Sequence, residues 1–121
     1  MRVQKSKCAL SSRDFARCCA RIADEKKATD IIIYNISKIS SIADYFILAT
    51  GESPPQLRAI AREIERAAKT HQVTHFHDEG FTAGGWLLLD YGDCVIHLFE
   101  PELRSYYALE LLWGDAPKVT M

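Results

Sequence analysis

No stretch of this chain approaches the roughly 20 consecutive apolar residues that a bilayer-spanning helix needs. It also lacks a surplus of positive charge, with 15 Lys and Arg against 16 Asp and Glu and a net charge of −1. Proteins that live on nucleic-acid phosphates usually carry a basic excess. Binding to a nucleoprotein is therefore expected to go through protein contacts. Cysteine is scarce: Cys8, Cys18, Cys19 and Cys94 form no C-x-x-C pair. That argues against a zinc site or disulfide framework, fits a reducing compartment, and leaves the thiols as small core hydrophobes. The opening "MRVQKSKCALSSRDF" is basic but has no apolar h-region, so a secretory signal is not expected. Repeats, linkers and low-complexity tracts are missing too.

What is present fits one domain with one core: 121 residues, 48% of them hydrophobic. Residues 1–10 have no periodicity and read as a flexible N-terminus, with the domain over 11–119. From Ser11 or Ser12, the spacing of Phe15, Cys18, Cys19, Ile22, Ala23 and Lys26 predicts a helix capped by serine and ended in "DEKKATD". "DIIIYNI" is a strand, because three consecutive β-branched residues favour extended chain. "SKISSIA" is a loop, and "DYFILATG" a second strand stopped by Gly51. In "ESPPQLRAIAREIERAAKTH", Ser53 caps a helix, Pro54 sits where its missing N–H costs nothing, and Gln56 completes a capping box. Leu57, Ile60, Ala61, Ile64 and Ala67 or Ala68 form its buried stripe. "VTHFHDEG" is a short, weak strand. The hairpin "GGWLLLDYGDCVIHLFEP" follows, then a helix over "PELRSYYALELLWG" stopped by Gly114. The sum is an α/β single domain, a mixed sheet of about five strands with helices packed on it.

The hairpin carries most of the functional information. A two-residue turn at Tyr91 and Gly92 would set Asp90 opposite Asp93, Leu88 opposite Val95 and Trp86 opposite His97. Alternation then gives one face Leu87, Leu89, Cys94, Ile96 and Leu98, which belongs in the core. The other face holds Trp86, Leu88, Asp90, Asp93, Val95, His97 and Phe99. A three-residue loop ending at Gly92 is the competing register and would blur this separation. An aromatic and apolar surface with a polar rim is what protein interfaces look like. A final helix covering the same face, with Trp86 in the core, is the other arrangement the composition permits.

Chemistry finds less support. His75, His77 and Glu79 alternate as strand neighbours, but His-x-His alone is a weak metal signal and a solvated edge strand explains it. "ATGES" is a strand end running into a helix N-terminus, where amides can cradle an anion. It resembles the opening of nucleotidyltransferases, yet the paired carboxylates that would hold Mg²⁺ are absent: Asp90 and Asp93 flank a turn instead. No elbow motif supports a Ser-His-Asp triad. No catalytic residue, cofactor or metal is expected. Arg58, Arg62, Arg66 and Lys69 share a helical ridge that could meet RNA phosphates, although Glu63 and Glu65 beside them make a solvated face. His97 near Asp90 or Asp93 would make binding pH-sensitive.

Taken together, "EKKATDIIIYNI", "IADYFILATGESPPQLRAIA", "GGWLLLDYGDCVIHLF" and "LRSYYALELLWGDAP" resemble the ribosomal silencing factor, or Iojap-like, family from Phe15 to Val119. The resemblance implies a cytoplasmic, non-enzymatic repressor of translation with a nucleotidyltransferase-like fold, homodimeric in isolation. It implies binding to the large ribosomal subunit through the ribosomal protein called L-fourteen, with minor ribosomal RNA contacts at most, and steric exclusion of the small subunit. Carried over residue by residue, its partner surface is Trp86, Leu87, Leu88, Asp90, Tyr91, Asp93, His97, Arg104 and Tyr107, with Glu110 and Trp113 also matching. Asn35, Tyr34 and Cys94 depart from the usual acidic residue, leucine and valine. A second protein is then expected to cover the mixed face of the hairpin. A nucleotide-binding or nucleotidyltransferase-like enzyme is the alternative, and a dimer interface on that face a third arrangement.

Overall fold

Ser11 starts the first helix, α1 (Ser12–Glu25), by accepting the Asp14 amide on its side-chain oxygen at 3.1 Å. Phe15, Ala16, Cys19, Ala20, Ile22 and Ala23 make the buried stripe. The helix ends in a paired-bond C-cap: Lys27, at φ 72°, donates to the Asp24 carbonyl and Ala28 donates to that of Ala23. The structure, a computed structural model, describes residues 10–41, 43–73, 77–79, 85–102 and 116–121, with only the backbone of 77–79. Within them follow β1 (Thr29–Asn35), β2 (Tyr45–Thr50), α2 (Pro54–Thr70), β3 (His77–Glu79), β4 (Trp86–Asp90) and β5 (Cys94–Phe99). Pro101 and Glu102 are helical. The remainder of the helix expected from Pro101 lies outside the described residues.

Among the described residues the sheet has five strands in the order β1-β2-β5-β4-β3. β2 and β5 run parallel and every other pair is antiparallel, so the sheet is mixed as expected. A bulge between Thr29 and Ile32 interrupts the β1 ladder, and Asp30 takes φ 51° there, a conformation Asp tolerates better than most residues. Asn35 closes the strand: its side-chain oxygen accepts both the amide and the hydroxyl of Ser37, starting the loop to β2.

α2 opens as its sequence suggests, with one change. Ser53 accepts the Gln56 amide at 3.3 Å, but the Gln56 side-chain oxygen takes the Glu52 amide at 2.6 Å, one residue before the cap. The Gln56 Nε2 donates to the Lys26 carbonyl, tying the start of α2 to the end of α1. Gly51 leaves room for this corner, since a Cβ there would stand 2.6 Å from Leu57 Cδ2.

Both described α-helices pack on one side of the sheet, against Ile33, Ile47, Ala49, Leu87, Leu89, Cys94, Ile96 and Leu98. The opposite side has its own cluster of Tyr34, Ile36, Ala43, Leu48, Val95, Phe99 and Ala116. All six residues of β5 are buried, which explains a sequence apolar at every position but His97. The C-terminal segment adds a feature no sequence signal announced. Asn35 donates to the Pro117 carbonyl and Val119 to that of Ile33, so residues 117–119 run along the outer edge of β1. Arg17 Nε holds the Thr120 carbonyl at 3.0 Å.

The hairpin register differs from the expected one by two residues. Trp86 pairs with Phe99, Leu88 with His97 and Asp90 with Val95. The turn centres on Gly92 instead of Tyr91–Gly92. Gly92 takes φ 82° while the Asp93 amide donates to the Tyr91 carbonyl, a γ-turn that glycine enters without steric cost. A shift of two preserves parity, so the paired residues of β4 and β5 keep the faces assigned to them, whereas Asp93, expected on the Trp86 face, sits in the turn and directs its carboxylate to Ser12 at the start of α1.

Candidate functional site

The turn of the hairpin is pinned from three directions. The Asp90 carboxylate accepts the Gly92 amide at 2.8 Å. The Asp93 carbonyl accepts the amides of Asp44 and Tyr45 at the start of β2. The Asp93 carboxylate accepts the Ser12 hydroxyl at 2.9 Å, and the Cys94 thiol donates to the Ser12 carbonyl. Asp93 is thus both an exposed carboxylate and a clasp on the first turn of α1. Burial pushes the Cys94 thiol up to about 12 and Cys19 well above its usual value, so both are neutral packing groups.

On the side of the sheet opposite the helices, four rings gather. His97 lies 5.0 Å from Phe46, 5.8 Å from Phe99 and 6.0 Å from Trp86, measured between ring centroids. Trp86 and Phe99 stack at 5.4 Å across the ladder. The indole Nε1 donates to His97 Nδ1 at 3.3 Å. His97 is 5% exposed. Burial lowers its pKa to about 4, which keeps the imidazole neutral at physiological pH. A carboxylate neighbour that would hold it near neutrality, the basis of the expected pH switch, is not among the causes of that shift.

The face is narrower than the sequence led us to expect. Val95, His97 and Phe99 are buried within this chain, while Trp86, Leu88, Asp90 and Phe46 stay half-buried. Leu87 and Tyr91 were expected at the partner surface, but they stand on the helix side. Leu87 is a core residue, and Tyr91 meets the Phe15 ring edge-on at 5.3 Å. Both point away from Trp86 because side chains alternate along the strand. Arg104 and Tyr107 lie outside the described residues, as do Glu110 and Trp113. Phe46 is the member that sequence reasoning missed. It joins through the parallel pairing of β2 with β5, which leaves no local signature.

The other constellations are placed as follows. His75 and the side chains of His77 and Glu79 lie outside the description. Among the described residues no three His, Cys, Asp or Glu side chains converge as metal ligands would. On the α2 ridge, Arg62, Arg66 and Lys69 are exposed, and Arg66 pairs with Glu63. At "ATGES" and the first turn that follows, four amides already have acceptors. Gly51 donates to the Phe99 carbonyl, Glu52 to the Gln56 side chain, Gln56 to the Ser53 side chain and Leu57 to the Ser53 carbonyl, while Pro54 and Pro55 have no N–H. Little is left there to cradle a phosphate.

Residues 9–121 match the family model described as ribosomal silencing factor during starvation. The chain is 42% identical to the ribosomal silencing factor RsfS of Bacillus subtilis, over 89% of this chain and 92% of that protein. It is 33% identical to the mouse protein named mitochondrial assembly of ribosomal large subunit protein 1, over 74% of this chain and 40% of that one. A crystal structure of a protein from Chromobacterium violaceum superposes with a TM-score of 0.82 at 33% identity, covering 87% of this chain and 88% of that one.

Proposed function

The chain belongs to the ribosomal silencing factor family, and from that membership we propose that it represses translation by sitting on the large ribosomal subunit where the small subunit would join. The surface that docks is the outer face of the hairpin. Trp86 and Leu88 are its apolar anchors and Asp90 and Asp93 its acidic rim. The partner is a basic ribosomal protein, the one called L-fourteen by the family resemblance, with Arg104 and Tyr107 completing the contact. Ribosomal RNA contributes little, in keeping with the net charge of −1. The protein acts in the cytoplasm and is homodimeric when isolated. The mouse relative's name, which specifies the large subunit, supports the choice of subunit.

The observation that carries this reading is the half-buried Trp86, held by a hydrogen bond and a stack, on a face where Leu88, Asp90 and Phe46 are half-buried too. Tryptophan anchors bury much area and freeze few torsions, and opposite charge at a rim speeds encounter more than it deepens affinity. Blocking needs bulk and no bond-making chemistry.

Sucrose-gradient cosedimentation with each isolated subunit tests it. Wild type should travel with large subunits only. Trp86→Ala should weaken that binding by about 2 kcal/mol or more, roughly thirtyfold. Equal cosedimentation of the variant, or none by wild type, refutes the reading. The enzymatic alternative has the occupied amides of Gly51, Glu52, Gln56 and Leu57 against it. It would be revived by a rise in melting temperature with a nucleoside triphosphate and Mg²⁺.

A further inference from the structure

Among the described residues, one buried side-chain polar atom has no hydrogen-bond partner in the protein: Nε2 of His97. Its state follows from its neighbours. The indole N–H of Trp86 can only donate, so His97 Nδ1, which accepts it, carries no proton. The neutral ring therefore holds its proton on Nε2. A buried N–H without an acceptor bears its full desolvation penalty, and native proteins rarely leave one so. Phe46, Phe99 and Trp86 pack around the ring and offer Nε2–H no oxygen or nitrogen acceptor. Phenylalanine would fill the same space at no such penalty.

We propose that His97 is a specificity-determining donor of the docking surface, and that binding brings a carbonyl oxygen of the partner protein onto its Nε2–H. The inference rests on the docking reading above. The chemistry of the acceptor follows from the face itself. Asp90 stands on the same face, two pairs along the ladder from Leu88 and His97, and disfavours a carboxylate or phosphate. A neutral carbonyl from a basic protein is what remains. Leu88 lies directly opposite His97 and is half-buried, so the partner meets this part of the face at the Leu88–His97 pair. The unsatisfied donor then discriminates: a partner presenting an oxygen at that point gains a bond, and one presenting an apolar group leaves the donor unpaired.

His97→Phe separates this role from a structural one, because it removes the donor while keeping a flat ring. Melting temperature and affinity for purified large subunits are measured together. We expect H97F to melt at or above the wild-type temperature and to bind large subunits about five- to tenfold more weakly. Wild-type affinity in H97F overturns the inference. Since H97F also takes the acceptor from Trp86, Trp86→Phe is compared with the W86F/H97F double variant, where that bond is absent from both. The same extra weakening should persist in the double variant, and its absence overturns the inference as well. If wild type itself fails to bind large subunits, the docking reading falls. If Trp86→Ala loses binding and H97F does not, only the role of His97 falls.

Discussion

His97 also sets how the fold responds to acid. Its folded pKa of about 4 lies below the ordinary value of 6.5, so the unfolded chain binds a proton more readily. The stability this gives is complete above pH 6.5 and is lost as pH falls toward 4, for an overall cost of about 3 kcal/mol. Melting curves from pH 7 to pH 4 should show that loss, and H97F should show a visibly shallower one. At this scale the sequence was legible in composition and less so in direction. Trp86, Leu88 and Asp90 stand on the face assigned to them by alternation. Leu87 and Tyr91 were drawn to the surface by the family pattern, although alternation alone sends them inward. Phe46 was invisible because its neighbour in space is 51 positions away in the chain and joined by parallel pairing.

Helix ends are where elements depart most from ideal chemistry. α1 and α2 finish alike: Lys27 at φ 72° and Gln72 at φ 61° occupy positions that usually hold glycine, and in each case the following residue donates back to the last turn. A side chain in that conformation costs about 1 kcal/mol or more. Lys27→Gly and Gln72→Gly should therefore each stabilise the protein by up to about 1 kcal/mol, read from urea midpoints at unchanged slope, the gain being reduced by the added freedom of the unfolded chain. The starts of both helices were readable because a serine oxygen and a 3.6-residue stripe are local signals. The hairpin pairing was not. Its turn depends on which residue takes positive φ, and Gly92 does so in a three-residue γ-turn that shifts every pair by two while leaving the faces of the paired residues intact.

Across the whole molecule, the mixed sheet of about five strands followed from counting apolar runs between turn signals. Strand order did not, since β2 against β5 is a long-range pairing with no mark in either segment. The C-terminal strap was equally unreadable, because "PKVT" has neither alternation nor a turn partner nearby. It matters for stability. Removing Pro117–Met121 deletes the two backbone bonds to Ile33 and Asn35 and the Arg17 contact, and should cost about 2 kcal/mol in a thermal or urea melt. It should also leave the β1 edge open, so light scattering should find mass rising with concentration in the shortened chain but not in the full one.

Growth of a β-ribbon from molecule to molecule needs a vacant margin at both ends of each building block. Among the described residues, one margin is lined by the chain's own tail and the three-residue third strand stands at the other. Sheet-to-sheet joining between copies through these edges is therefore expected to stop at a pair and not to run on into a fibre.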